Sequence, residues 1–284
     1  MISDKDVLRA LTHVMEPDLH KDLVTLNMVK DIVVDGKKVG FTIVLTTPAC
    51  PLKEKIEQDC ITAIHAHVQA DAEVTVTMTA NVSSNRMDKL VLPGVKNIVA
   101  VMSGKGGVGK STAAANLAVA LTQSGARVGL LDADIYGPSQ AIMFGLQGEQ
   151  PYMEEINGKS YMIPLEQHGV KVISIAFLVK PGQAVVWRGP MVSSAFKQLV
   201  NDVHWGDLDY LILDMPPGTG DIHLTLLQTV PLTGVLMVTT PQDVALADAQ
   251  KAGYMLQMMP NRIPVLGVVE NMAWFTPAEL PQNK

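Results

Sequence analysis

Ile98-Val99-Ala100-Val101-Met102-Ser103-Gly104-Lys105-Gly106-Gly107-Val108-Gly109-Lys110-Ser111-Thr112 is the stretch that decides the fold of this 284-residue chain. An apolar run of strand type enters a loop of four glycines, and an alanine-rich segment of helical type leaves it. Strand, glycine loop and helix in that order are the setting of a phosphate-binding loop. Gly104, Gly106, Gly107 and Gly109 allow a tight turn whose backbone N–H groups, that of Val108 included, converge on an anion. The helix that follows adds the positive end of its dipole. Lys110 is then the counter-charge to the β- and γ-phosphates, Ser111 offers its hydroxyl to Mg2+, and Thr112 completes the first helical turn of the nucleotide site.

Composition bounds the rest. A hydrophobic content of 48% over this length supports buried cores in more than one domain. The net charge of -6 argues against a broad nucleic-acid-binding face. No apolar run approaches the roughly 20 residues of a membrane span, and Met1-Ile2-Ser3-Asp4-Lys5-Asp6 is not a signal-peptide start. Cys50 and Cys60 are the only cysteines, so no disulfide framework is in view and a cytoplasmic location is expected.

A polar stretch, Ser83 to Lys89, followed by Pro93-Gly94, divides the chain. The expected organisation is a small α+β domain over 1–82, a linker over 83–94, and an α/β domain over 95–284. In the first domain, Ser3 caps a helix reaching about Met15, and Met28 to Val34 and Val39 to Leu45 flank the hairpin signal Asp35-Gly36. A helix over Leu52 to Val68 and an alternating strand from Glu73 to Met78 follow. Cys50 lies just before that helix, where its dipole would stabilise a thiolate; it reads equally as a reactive or metal-binding thiol and as an inert loop residue. Cys60 shares a helical face with Ile56, Ala63 and Ile64 and reads as core.

The second domain alternates strands and helices as a mostly parallel sheet with helices on both faces requires. Strands are expected at Ile98 to Met102, Val128 to Asp132, Val172 to Ile175, Tyr210 to Asp214, Gly234 to Thr239 and Val265 to Glu270. Helices are expected after Lys110, Pro138, Pro190, Asp221 and Gln242, and a hairpin centred on Asn157-Gly158 is inserted between Gly148 and Val170. Carboxylates at strand ends then fall where open α/β sheets bind ligands. Asp132 and Asp134, one residue apart, share a direction if the pleat persists; either could instead cap the helix after Pro138. Asp214 closes the run Leu211-Ile212-Leu213, and Asp221 reads as a cap of the next helix.

Lys105-Gly106-Gly107-Val108-Gly109-Lys110-Ser111 resembles the deviant P-loop of the SIMIBI class of ATPases, to which the MinD, ParA and Mrp/ApbC proteins belong. The resemblance implies a homodimer in which Lys105 reaches the partner's nucleotide. It gives Lys105, Lys110 and Asp134 catalytic roles, with Asp134 orienting the attacking water. Asp132 lies near the Mg2+, Asp214 holds water of its shell, and the N–H of Gly218 reports the γ-phosphate. Asn271 would contact the base, with Gln242 in a loop walling it; both positions also fit ordinary strand-end turns. No Asn-Lys-x-Asp signature for guanine occurs, so ATP is the expected nucleotide.

Within that class, Asp132-Ala133-Asp134-Ile135-Tyr136-Gly137-Pro138-Ser139, Trp187-Arg188-Gly189-Pro190-Met191 and Asp214-Met215-Pro216-Pro217-Gly218-Thr219-Gly220-Asp221 are similar to the Mrp/ApbC iron-sulfur cluster carriers. Thr46-Thr47-Pro48-Ala49-Cys50-Pro51, in its α+β context, resembles the SufT-like maturation domain. The resemblance implies a carrier that binds ATP and Mg2+, hydrolyses ATP, and passes a [4Fe-4S] cluster to apoproteins, with assembly scaffolds as further partners and neither nucleic acid nor membrane. Many carriers have Cys-Pro-x-Cys after the position of Asn271; here Trp274-Phe275-Thr276-Pro277-Ala278-Glu279-Leu280 follows, so the expectation is either a chain that is C-terminally incomplete at Lys284 or a metal site that is absent or rebuilt. A ParA- or MinD-like positioning ATPase and a metal-free nucleotide-gated scaffold are the alternatives.

Overall fold

The computed structural model describes residues 2–82, 84, 91–178, 189–259 and 262–275. Ser83, residues 85–90, Trp187-Arg188 and residues 276–284 therefore lie outside the described residues. The chain divides into two compact units, Met1–Ser83 and Ser84–Lys284.

In the first unit, helix α1 (Asp4–Leu11) starts from a capping box in which Ser3 and Asp6 satisfy each other's backbone N–H groups. It ends at Leu11, short of the expected Met15. The N–H groups of His13 and Val14 reach back only three residues, and the carbonyl of Val14 accepts from the N–H of Leu23. That bond turns the chain into the short antiparallel pair β1 (Met15–Glu16) and β2 (Lys21–Asp22). Strands β3 (Val29–Asp35) and β4 (Lys38–Leu45) form the hairpin, with Gly36 at φ +60° in its turn. Helix α2 (Lys53–His67) crosses to β5 (Glu73–Ala80), which pairs parallel to β4. Val39, Phe41, Ile43 and Leu45 alternate along β4 into a core shared with Val7, Leu11, Ile56, Cys60 and Ile64.

The second unit is built on seven strands. In chain order the elements are β6 (Val95–Met102), α3 (Lys110–Gln123), β7 (Val128–Asp132), α4 (Gln140–Met143), the hairpin β8 (Met153–Ile156) and β9 (Lys159–Met162), then β10 (Leu165–Gln167) and β11 (Val170–Ser174). There follow α5 (Gly189–Asn201), β12 (Leu208–Asp214), α6 (Asp221–Thr229), β13 (Gly234–Thr239), α7 (Asp243–Met258) and β14 (Val265–Glu270). The sheet order is β10-β11-β7-β12-β6-β13-β14, parallel except at β10–β11. Strand β10 was not expected as a separate edge.

The central strands are buried on both faces, as parallel sheets covered by helices must be. Neighbours along a strand therefore enter different cores: Leu131, Leu211 and Leu213 pack with Phe196 of α5 and Leu226 of α6, while Leu130 and Ile212 pack with Ala114 and Ala118 of α3. Alanine at these α3 positions lets the helix lie close to the sheet. Its C-terminus closes with Gly125 N–H donating to Thr122 O and Ala126 N–H to Leu121 O, the paired bonds of a Schellman motif, with Gly125 at φ +96°. Burying Phe196 completely contributes about 2 to 3 kcal/mol of transfer free energy to the opposite face.

Register does the positioning. Asp132 and Asp214 are direct partners on β7 and β12, and Ser174 is the partner of Asp132 on β11. The carboxyl ends of these strands thus bring two carboxylates together beside the loop that leaves β6.

Candidate nucleotide-binding site

The loop between β6 and α3 holds Gly107 at φ +82° and Gly109 at φ +87°, a backbone region that L side chains rarely adopt. A Cβ on Gly109 would also lie 2.2 Å from Nδ2 of Asn271, and one on Gly104 would lie 2.2 Å from the backbone of Asp248 in α7. The second constraint makes Gly104 a packing requirement as well as a turn residue. Lys105 is exposed and makes no ion pair with any described residue.

Lys110 is 6% exposed and pairs through Nζ with Oδ1 of Asp214, which is fully buried. Its Nζ also lies 3.0 Å from Ser111 Oγ and 4.0 Å from Asp134 Oδ2. One ammonium therefore faces both of the loop-facing carboxylates of β12 and of the segment after β7.

Asp132 is occupied by its own protein. Oδ1 accepts from the N–H of Asp134 at 3.2 Å, and Oδ2 accepts from Ser139 N–H, Gln140 N–H and Ser174 Oγ, each at 3.0 Å. It holds the start of α4, the capping alternative that the sequence left open for one of the two aspartates. Burial, followed by repulsion from Asp214, pushes its pKa up to about 7 despite those donors. Asp134 has a different setting: Oδ1 accepts only from Gly137 N–H, at 3.1 Å, and Oδ2 faces Lys110.

The loop after β12 folds back on the phosphate loop. Gly218, at φ +104°, donates its N–H to Ser103 O at 3.0 Å, so that N–H is committed within the protein in this arrangement. Gly220 occupies the cap position of α6 and Asp221 opens the helix, where a cap by Asp221 was expected. Asn271 donates Nδ2 to Val108 O at 2.9 Å, tying the end of β14 to the phosphate loop. Gln242 is the backbone cap of α7, with no side-chain cap bond.

Two residues of the site were not singled out from sequence. Gln140, fully buried, donates Nε2 to Asp214 Oδ2 at 2.7 Å and to Ser111 O at 3.0 Å. Nothing in Gly137-Pro138-Ser139-Gln140 marks it, since a polar residue at a helix start usually faces water. His223, 4% exposed, sits with Nε2 at 2.8 Å from Pro216 O. A carbonyl only accepts, so Nε2 carries the proton, and burial holds the ring's pKa below the usual histidine range. Here a signal existed: Leu226, Leu227 and Val230 follow at helical spacing, which puts His223 on the apolar face.

The N-terminal unit places Cys50 half-buried against its core and Cys60 fully buried, its thiol pushed up to about 12 chiefly by burial. His65 Nε2 lies 3.0 Å from Ala72 O, whereas His67 stacks on His13 at 4.2 Å. Among the described residues no three His, Cys, Asp or Glu side chains group as a metal site, and no helix is long and apolar enough to cross a membrane.

Residues 94–283 match the family described as NUBPL iron-transfer P-loop NTPase, and residues 4–77 match that of the iron-sulfur cluster assembly protein. A Synechocystis protein named iron-sulfur cluster carrier protein is 48% identical over all of this chain and 80% of its own length. A Deinococcus radiodurans protein of the same name is 52% identical over 95% of this chain and 75% of its own length. A solved Archaeoglobus fulgidus nucleotide-binding protein in complex with ADP aligns with TM-score 0.57 and 39% identity, covering 67% of this chain and 72% of that one. With two thirds of its length matched by the family model and near-full-length relatives at this identity, the chain belongs to the NUBPL iron-transfer P-loop NTPase family.

Proposed function

We propose that the chain is a Mg2+-dependent ATPase that works as a homodimer and carries iron-sulfur clusters to apoproteins. The observation that carries the nucleotide half is the Lys110–Asp214 pair, buried at the phosphate loop with Asp134 Oδ2 4.0 Å from the same ammonium. An arriving phosphate offers Lys110 a denser negative charge than one carboxylate, and the lysine turns to it. Asp214 and the Ser111 hydroxyl are hard oxygen donors of the kind Mg2+ takes, so these residues fit the ion. When bound, Mg2+ neutralises charge on the β- and γ-phosphate oxygens.

The protein's own part is positioning. Gly107, Gly109 and the N-terminus of α3 present backbone N–H groups to the phosphates. Asp134 accepts from Gly137 N–H through Oδ1 and faces Lys110 through Oδ2, the oxygen that would orient a water once the lysine turns to phosphate, whereas Asp132 anchors the segment from which Asp134 projects. Asn271 braces the loop from below through Val108. Lys105, exposed in the glycine loop, would be the residue that acts on a partner's nucleotide; its exposure supports that reading. The loop from Met215 to Gly220, bonded to Ser103 and closed by His223, is the segment whose rearrangement would signal loss of the γ-phosphate.

The cargo half rests on the relatives named iron-sulfur cluster carrier protein and on the iron-sulfur assembly module at residues 4–77. These similarities favour a carrier over a positioning ATPase. Anaerobic reconstitution with iron and sulfide, followed by iron and sulfide counts per dimer and transfer to an apo-ferredoxin with and without ATP, tests it. A protein that hydrolyses ATP yet neither takes up nor transfers cluster would sink the carrier assignment and leave the ATPase one standing.

A further inference from the structure

We propose that Gln140 is a positioning residue for the divalent cation of the nucleotide site: Nε2 holds Asp214 in place, and Oε1 accepts a hydrogen bond from a water on the cation. The inference rests on the proposed Ser111 and Asp214 cation site.

Gln140 opens α4 with no exposed surface. Both of its amide hydrogens are used, one toward Asp214 Oδ2 at 2.7 Å and one toward Ser111 O at 3.0 Å. Its backbone N–H is bound to Asp132 Oδ2. The amide cannot be turned over, because Oε1 would then face a carboxylate oxygen and a carbonyl, both of which only accept. Oε1 is buried and has no hydrogen-bond partner among the described residues.

An unmet buried acceptor is costly, because it gives up its bond to water and gains none. Methionine would fill much the same space without that cost, so packing alone does not account for an amide here. Oε1 and Nε2 belong to one planar group, so Oε1 sits on the same carbon as the nitrogen that Asp214 and Ser111 hold. Lys110 donates to Asp214 and Ser111 Oγ and makes no bond to Oε1. The remaining donor that the chemistry calls for is a water, and a cation polarises its water into a strong one. Mg2+ also keeps several of its waters when protein-bound. Gln140 would then link α4 both to the residue before the cation and to the water around it, the role outer-shell groups play at metal sites.

The probe is Mn2+, titrated into the ADP-loaded full chain and followed by the EPR signal of the free ion, with ADP affinity measured separately in chelator. Wild type should bind one Mn2+ per chain. Gln140→Met should weaken Mn2+ binding about tenfold and leave metal-free ADP affinity within about twofold. Gln140→Leu, which likewise lacks both the donor to Asp214 and the buried acceptor, should weaken Mn2+ binding to a similar degree. Equal Mn2+ affinity for Gln140→Met and wild type overturns the inference. Should Gln140→Met not fold, the Gln140→Leu variant decides alone, and a Mn2+ affinity equal to wild type overturns it. Wild type that binds ADP without taking up Mn2+ overturns the Ser111 and Asp214 site itself, and this inference with it.

Discussion

Lys110 of the phosphate loop and Asp214 at the end of β12 form a buried ion pair, with the aspartate's second oxygen held by Gln140. Neither partner is solvated to any extent, so each depends on the other for compensation. The pair therefore ties nucleotide binding to the internal electrostatics of the sheet. On the proposed reading, a phosphate that draws Lys110 away would leave Asp214 in need of a cation, which would couple the arrival of the anion to that of Mg2+.

Lys110→Ala should thus fail in two ways. It removes the phosphate counter-charge, and it leaves Asp214 buried without its partner, a loss of about 3 kcal/mol in the nucleotide-free protein. Isothermal titration with ATP and a urea melt measure the two effects. Lys110→Met combined with Asp214→Leu should recover most of the stability and none of the ATP binding. Strong ATP binding by either variant would refute the assignment of the loop.

Asp134→Asn should retain ATP and slow its turnover. The amide fills the same space and still accepts from Gly137 N–H, but its other end no longer offers the carboxylate oxygen that faces Lys110. Single-turnover hydrolysis should fall by about a hundredfold, within the usual range for groups that position a nucleophile, while the dissociation constant for ATP changes little. An unchanged rate would reduce Asp134 to a turn residue.

The order of the main helices and strands in both units was legible because the signals are local, whereas the short pair β1–β2 and the edge strand β10 were not. Apolar runs and the turn signals Asp35-Gly36 and Asn157-Gly158 sit in the sequence where the structure puts strands and hairpins. The phosphate loop was legible for the same reason, since its glycines are dictated by backbone geometry over a few residues. What the sequence hid depends on register and on reach between segments. The pairing of Asp132 with Asp214 places two carboxylates together across β7 and β12, and only then does Gln140, from a third segment, become a bridge between Asp214 and Ser111. The choice between cap and metal neighbour for Asp132 was open for the same cause: three of its four donors lie at residues 139, 140 and 174. Helix α1 ended early because of a bond to Leu23, twelve residues beyond Leu11, which no window over the helix contains.

Asp209 at the start of β12 gives the fold an acid limit. Burial alone would raise its pKa, but the Arg127 side chain and backbone N–H, together with Lys96, outweigh it and hold it at about 2 against an ordinary 3.8. The Arg127 and Lys96 contacts tie β12 to the segment before β7 and to β6. Because the folded value is depressed, the stabilisation is complete above the unfolded value and is lost as pH falls from about 4 to about 2. With Arg127 half in solvent, the contribution at neutral pH is about 1 kcal/mol. Asp209→Asn should therefore lower the urea midpoint at pH 7 and narrow its deficit as the pH approaches 2. A deficit that stays constant across that window would mean the contacts act through packing alone.

The facing-site arrangement is tested through Lys105, which lies exposed among the glycines while Lys110 is fully engaged inside. If Lys105 acts on a partner's nucleotide, Lys105→Ala should cripple hydrolysis even though each subunit keeps Lys110, Ser111 and Asp134 for its own ATP. Asp134→Asn subunits are crippled for the opposite reason: they lack the water-orienting group but can still lend a lysine. Mixing the two inactive variants should therefore restore activity, since the Lys105→Ala subunit of a mixed dimer has its own aspartate and receives its partner's lysine. Random pairing makes half the dimers mixed, each with one complete site, so recovery should reach roughly a quarter of the wild-type rate. Native mass spectrometry would establish that mixed dimers form. Mixed dimers with no recovered hydrolysis would show that Lys105 serves the nucleotide of its own chain.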